Sequence, residues 1–518
     1  MSKKPKSSGN KLSRRSVLGL GAAGVGAGVF GLPKSLGGAS SASKEAKNIV
    51  FCVVDGMAVS VMTLVDHYLQ ATQGRRSYWS WLMDQPYVVN GLQDTRSLSS
   101  VVTDSAAAAG AWGSGRRQWN GQINMFPDGT KLRTLYSLLR EQGMRTGLVT
   151  TTTITHATPS GFAIQIEQRD KEADIAAQHL TAGVDVLLGG GDRWFSPNRR
   201  SDKRDLYAAF RGRGYTIVKT RSELMSAAGG KLLGVFSSSH MPYTVDRDND
   251  PALQASVPTL ADMSRVALKK LRGAPNGFAL QIEGGRVDHG GHANDLAATF
   301  FDQIAFEDAV RVAVEFALED GETLVIVTAD HATGGPSLNG AGDEYFDSTA
   351  GMKTLKGMKS SYARLFDAYE KNKSRGGIRD ATKQLLGVSL NEDEADAIIG
   401  AMNGASPFRT SEFLRSLNGT VATVLGNHTK LLWTSQNHTA DHVLVTALGP
   451  GKEALAGMTW NTAMFDAMLA TRGLAFQNPT MSYEEAKRHI KDDSRAAASV
   501  PDRDLEDLSL GELHAALC

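Results

Sequence analysis

Strand-like runs that alternate with helical ones predict an α/β protein with a mostly parallel central sheet and helices on both of its faces. Three observations carry that expectation. Short apolar, β-branched runs stand at residues 48–54, 145–151, 184–189, 277–282 and 323–329. Between them lie amphipathic stretches at 132–142, 259–271 and 296–318, the last with apolar residues three and four apart over several turns. Carboxylates and imidazoles then follow several strand runs, at the carboxyl ends where open parallel sheets bind ligands.

The chain has 518 residues, 41% hydrophobic and 21% charged, enough for a large core. A formal net charge of +1 gives no footprint for nucleic acid or an anionic membrane. Two cysteines, Cys52 and Cys518, exclude a disulfide framework, and Cys52 in "NIVFCVVDG" reads as a small buried hydrophobe. The N-terminus is basic at Lys3, Lys4, Lys6 and Lys11. It runs through Ser13, Arg14, Arg15, Ser16 and Val17 into a glycine-rich apolar run at 18–32, with small residues at 37–42. This order predicts a twin-arginine export signal over 1–42 and a periplasmic or extracellular protein. The apolar run is short for a membrane span, so no stable anchor is expected once the signal is cleaved.

Along the rest of the chain the strand ends are chemically loaded. "FCVVD" ends at Asp55, "FALQIE" ends at Glu283 with Asp288 and His292 following, and "LVIVTADH" ends at Asp330 and His331. So many converging carboxylates repel and shift one another's protonation, a conflict that divalent metals remove. The mix of Asp and His suits zinc. Asp288 and His292 stand four apart, able to meet on one side of a turn, and His438 in "SQNHTADH" precedes the late apolar run "VLVTAL". "TDSAAAAG" sets Asp104 and Ser105 at the mouth of an alanine run. That is either a plain helix cap or a hydroxyl aimed from a helix N-terminus, where an anion is favoured.

The motifs "VVDGM", "TDSAAAAGAW", "THATPSGFAIQIEQR", "VDVLLGGGDRWF", "QIEGGRVDHGGHAND", "TADHATGG" and "QNHTADH" follow one another in this order. Together they resemble the alkaline phosphatases over residues 47–345 and 431–475. The resemblance implies two Zn2+ and one Mg2+ per subunit. Asp288, His292 and His438 would hold one zinc; Asp55, Asp330, His331 and the Ser105 oxygen the second; Asp55, Thr158 and Glu283 the magnesium. It implies hydrolysis of phosphate monoesters through a covalent phosphoserine at Ser105, with Arg169 gripping the phosphate and broad tolerance of the alcohol. His156, His289 and Asp104 would tune the third site or its surroundings. His156 and His289 stand where some members carry Asp and Lys, so His289 either helps bind phosphate through water or recruits a different metal. The dimer common in the family is open to this chain.

The alternatives are a phosphodiesterase or another phosphate or sulfate ester hydrolase of the same superfamily, or a metal-binding protein with a dead centre. Alanines after Ser105 argue against a sulfatase, and Ser105, Thr158, Glu283 and Arg169 together favour monoesters. The catalytic domain is expected over 43–475. Within it, residues 346–430 read as a helical insertion near the active-site edge, with no clear strand before "TVATVL". Residues 476–518 are polar and helix-prone, a peripheral tail.

Overall fold

The computed structural model describes residues 45–490; the predicted export signal over 1–42 and the part of the predicted tail from 491 onward lie outside them. Ten strands build the centre: β1 (Asn48–Val54), β2 (Val88–Asp94), β3 (Arg145–Thr153), β4 (Val186–Gly190), β5 (Tyr215–Val218), β6 (Lys231–Val235), β7 (Phe278–Gly284), β8 (Thr323–Ala329), β9 (Val443–Leu448) and β10 (Gly457–Trp460). They form one sheet in the order β10-β2-β9-β8-β1-β7-β3-β4-β6-β5. Strand β9 is antiparallel to both of its neighbours, and the other neighbouring pairs are parallel. The carboxyl ends of β8, β1, β7 and β3 therefore open side by side.

Both faces are buried, which is why the central strands read as continuous apolar runs. In β1, Val50, Cys52 and Val54 point toward the helices Leu260–Leu271 and Leu296–Asp320. Ile49, Phe51 and Val53 point the other way, into a core with Trp112, Phe162 and Met464. Phe51 meets Trp112 and Phe162 at ring separations of 5.0 and 5.2 Å.

The strands that the sequence pattern does not reveal are β2, β5, β6 and β10. All lie toward the sheet margins, where one face is solvated or a glycine interrupts the run. Gly91 in β2 has a packing reason: a Cβ there would come within 2.3 Å of the Gly457 carbonyl, so its absence lets β10 approach.

Residues 350–429 hold five helices, Ala350–Gly357, Tyr362–Lys371, Arg375–Leu386, Glu392–Met402 and Leu417–Thr429. The β-branched run "TVATVL" lies inside the last of them, not in a strand. Val421, Val424 and Leu425 are buried at helical spacing, and Ser416 caps the start, so packing overrides β-propensity. These helices share a core with Leu64, Val65, Tyr68 and Phe300, apart from both faces of the sheet, and it reaches Trp433 beside Gly334. Two carboxylates tie them to the body: Asp246 accepts from Ser361 N and Oγ at 2.8 and 2.6 Å, and Asp295 accepts from Tyr362 N at 2.5 Å. Among the described residues no helix is long and apolar enough to cross a membrane.

Candidate active site at the carboxyl edge of the sheet

Ser105 is the first residue of the helix Ser105–Ser114, and Asp104 caps it. The cap does more than start a helix. Its Oδ1 accepts from Ala107 N at 2.9 Å, while Oδ2 accepts from Gly121 N at 2.9 Å and from Arg169 Nη1 at 3.3 Å. One carboxylate thus fixes the helix mouth, a neighbouring loop and the arginine. Ser105 is almost wholly buried, and its Oγ lies 3.2 Å from His331 Nε2.

Asp288 and His292 stand one turn apart on the short helix Arg286–His292, as their spacing predicts, with Nε2 3.4 Å from Asp288 Oδ2. His438 joins them from far along the chain. It pairs with Thr333 in a two-residue antiparallel ladder, and its Nε2 comes within 3.6 Å of Asp288 Oδ1. His292 Nδ1 donates to the Gln436 carbonyl at 2.6 Å, and His438 Nδ1 donates to the Thr103 carbonyl at 2.8 Å. Both tautomers are set by those carbonyls. Two Nε2 lone pairs are then left facing each other at 3.0 Å, beside a carboxylate. A metal cation between them would take both lone pairs and the carboxylate. Thr333 Oγ1 holds Asp288 Oδ1 at 2.5 Å. Gly56, at φ +72°, lets β1 end against Asp288; a Cβ there would lie 2.5 Å from Asp288 Cα.

Asp55 follows β1, and Asp330 and His331 follow β8; all three are fully buried. His331 Nε2 lies 3.1 Å from Asp330 Oδ2 and 3.5 Å from Asp55 Oδ1. Asp330 Oδ1 takes the Gly56 and His331 amides, each at 2.9 Å. On the other side of Asp55, Thr158 Oγ1 donates to Oδ2 at 3.2 Å, and His156 Nδ1 stands 3.9 Å from both Asp55 Oδ2 and Glu283 Oε1. Asp55 Oδ1, Asp330 Oδ2, Glu283 Oε1 and His156 Nδ1 are buried with no hydrogen-bond partner. Buried polar atoms are ordinarily satisfied, so this cluster of orphans fits divalent cations. Three groups converge closely enough to hold them: Asp288 with His292 and His438; Asp55 with Asp330 and His331; and Asp55 with His156 and Glu283. Without cations, burial and then the neighbouring Asp330, Asp288 and Glu283 push the Asp55 carboxyl well above its usual range. Burial pushes Glu283 up to about 8. Burial also works against Asp288, but His292, His438 and His331 outweigh it and hold that carboxyl well below its usual range.

Arg169 lies on a turn with its side chain mostly buried. It splits its fork between Asp104 Oδ2 and His156 Nε2, the latter at 2.9 Å. His289 accepts from Arg286 Nη1 at 2.6 Å through Nδ1. Its ring stands 5.6 Å from His156 and 4.4 Å from His240, centroid to centroid. Arg286 and His240 are absent from the sequence reading. Arg286 sits inside the quoted "GGRVDHGG" and was findable there. His240, in "SSSHMPY", sits on a loop after β6 that only the fold carries to β3, where its Nδ1 accepts from Thr153 N at 3.2 Å.

The model of the alkaline phosphatase family matches residues 46–474. The chain belongs to the alkaline phosphatase family. Alkaline phosphatase 3 of Bacillus subtilis (strain 168) is 32% identical over 425 residues, covering 81% of this chain and 87% of that protein. The alkaline phosphatase of Thermus thermophilus is 35% identical and superposes with a TM-score of 0.82, over 86% of this chain and 95% of that one. A cold-active alkaline phosphatase from the psychrophile Shewanella sp. gives 28% identity and a TM-score of 0.70, over 83% of this chain and 100% of that one. As an alkaline phosphatase the chain is a metal-dependent phosphoric monoester hydrolase.

Proposed function

We propose that this alkaline phosphatase hydrolyses phosphate monoesters in two displacements, with Ser105 as the nucleophile. Ser105 Oγ bonds to phosphorus, the bond from phosphorus to the alcohol oxygen breaks, and water then cleaves the phosphoserine to release inorganic phosphate. The observation that carries this reading is the place of Ser105: a buried hydroxyl at a helix N-terminus, 3.2 Å from His331 Nε2, with Arg169 anchored through the same Asp104 that caps its helix. Arg169 would hold two non-bridging oxygens through its planar fork, and the helix amides would favour the anion.

Two Zn2+ would be held by Asp288, His292 and His438 and by Asp55, Asp330, His331 and Ser105 Oγ, and one Mg2+ by Asp55, Thr158 and Glu283. Bound there, such ions lower the pKa of the attacking oxygen and neutralise charge on the leaving one. A dianionic monoester offers three terminal oxygens to this cationic edge, whereas a diester spends one on a second substituent and a sulfate carries less charge. The reading is a phosphomonoesterase with broad tolerance of the alcohol. We also propose export by the twin-arginine route through residues 1–42, to the periplasm or beyond.

Matched aryl phosphate monoester, diester and sulfate, with and without a chelator, test the class. A higher kcat/KM for the diester or the sulfate overturns it. Ser105→Ala tests the nucleophile: zinc content and fold stay, and turnover falls by about three orders of magnitude. Near-normal turnover at matched zinc content would refute the assignment.

A further inference from the structure

The stretch "GGGDRWF" ends β4, next to the strand β3 that leads to His156 and Thr158, and the two displacements use none of it. Gly191, at φ +104°, turns the chain over Thr153; a Cβ there would lie 3.1 Å from Thr153 Cβ. The turn is pinned to the loop after β6. Gly191 N and Asp192 N donate to the Ser237 carbonyl at 3.1 and 2.9 Å, and Arg193 N donates to the Ser238 carbonyl at 3.2 Å. That loop carries His240, whose ring stands 4.4 Å from His289 and 5.9 Å from His156. The charges that act on His240 are those of His289, Arg286, His156 and Arg193, in falling order, and Arg193 and Arg169 both act on Glu172. Arg193 therefore stands at the rim of the site, on the side of Arg169 and His156.

Two other cations of this margin are already paired. Lys219 Nζ donates to Asp192 Oδ1 at 2.7 Å. Arg200 pairs with Asp202 and gives Nη1 to the Ala173 and Trp194 carbonyls at 2.9 and 2.7 Å. Glu172 is occupied as well, since its Oε2 takes the Thr153 and Thr155 hydroxyls, the former at 2.7 Å. Arg193 differs. Its residue is half-buried, its Nε is buried with no hydrogen-bond partner, and the same holds for Nε1 of the neighbouring Trp194. Among the described residues no carboxylate stands at ion-pair distance from the Arg193 guanidinium, which lies over the Trp194 ring at 5.0 Å from its centroid. Guanidinium and indole N–H groups are donors only. Orphaned donors on two consecutive residues call for an acceptor, as the orphaned oxygens after β1 and β7 call for a cation.

We propose that Arg193, stacked on Trp194, is a subsite for a second oxyanion, so that the preferred monoesters carry a carboxylate or a further phosphate on their alcohol. The planar fork meets such a group with two parallel hydrogen bonds, and the stack on Trp194 holds the fork in place before the substrate arrives. Arg169 would hold the phosphate that reacts, and Arg193 the anion that stays on the alcohol. This rests on the monoesterase reading and deepens it from broad tolerance to a preference.

The test compares pairs of alkyl phosphates on the metal-loaded enzyme. One member of each pair ends in a methyl group, the other in a carboxylate or a phosphonate, over a series of spacer lengths. The readout is the ratio of the two kcat/KM values. Wild type is expected to favour the anion-bearing member about tenfold at one spacer length, mostly through KM, the scale of a hydrogen bond to a charged group. The larger ratio of the two arms identifies the end group. In Arg193→Ala and in Arg193→Gln, which keeps the packing on Trp194, the ratio falls to about one, and Arg193→Lys, charged but without the fork, lies between. Lys219→Ala, whose charge is already spent on Asp192, keeps the wild-type ratio. The proposal is overturned by a ratio near one in wild type at every spacer length. It is also overturned by a wild-type ratio in Arg193→Gln, or by an equal fall in Lys219→Ala, which would mean a diffuse field rather than a subsite. The matching alkyl- and carboxyalkylphosphonates, which are not turned over, give the same ratio as Kd values in titration calorimetry. Turnover without the preference sinks this inference alone. An Arg193-dependent preference among the phosphonates, with no turnover of any phosphate, sinks the phosphatase reading alone.

Discussion

The protein buries two sets of carboxylates, and they differ in what surrounds them. Asp246 and Asp295 lie where the helices of residues 350–429 meet the body, and Asp302 stands near Asp246 on the body side. Ser361 N and Oγ face Asp246, Tyr362 N and Ala298 N face Asp295, and Thr244 N at 2.9 Å faces Asp302. Asp55, Glu283, Asp288 and Asp330 lie at the sheet edge, and there Asp55 Oδ1, Glu283 Oε1 and Asp330 Oδ2 make no hydrogen bond. All seven are buried. The partners distinguish them: backbone amides and a hydroxyl make a joint, and orphaned oxygens beside inward-facing imidazole lone pairs make a cation site.

The sharpest way to break that contrast is to remove one carboxylate from each set. Asp330→Asn is expected to lower kcat/KM for an aryl phosphate by about three orders of magnitude, with loss of one bound metal. Chelation comes next. Each ion supplied at 1,000 times its Kd stabilises the fold by about 4 kcal/mol, so a chelator lowers the melting temperature in calorimetry. The joint variant Asp246→Ala, by contrast, leaves the Ser361 amide and hydroxyl buried without an acceptor. It costs about 1–3 kcal/mol in denaturant unfolding while kcat/KM and metal content stay. If Asp246→Ala empties the metal sites, the two sets are not independent and the contrast fails.

The smallest expected effect is a pH dependence confined to the joint. Burial pushes Asp295 and Asp302 up to about 7. An unfolded Asp titrates near 3.9, so between that pH and about 7 the folded chain binds more protons than the unfolded one. These two groups therefore favour the fold fully below the unfolded value, and that contribution is lost as pH rises through 7. Hydrogen exchange at the Tyr362 and Thr244 amides should be slower, relative to the intrinsic rate, at pH 5.5 than at pH 8.5. Equal protection at both would place the joint's stability elsewhere.

Much of the site is legible in the chain because its residues sit where strands stop. Asp55 after β1, Glu283 at the end of β7, and Asp330 with His331 after β8 are marked by apolar runs that end in charge, and parallel order brings them together. Asp288 and His292 are four apart and share a helix turn. The margins of the fold were less readable. Strands β2 and β10 are partly solvated, β5 is four residues long, and Gly234 interrupts the apolar run of β6; "TVATVL" carries strand-like residues on a helical face that only its neighbours choose.

The sequence by itself determined the sheet's centre, the helix that Asp104 and Ser105 open, and which side chains could ligate, since these follow from local periodicity, capping and side-chain chemistry. Only the tertiary structure decided what each donor is free to do. His438 and His156 are the same residue type beside the same kind of carboxylate. The Thr103 carbonyl leaves one a lone pair for a cation, and the Arg169 guanidinium leaves the other an N–H. Partners 335 and 13 residues away set that difference, and hydrogen-bond direction is a property of the pair, not of the residue.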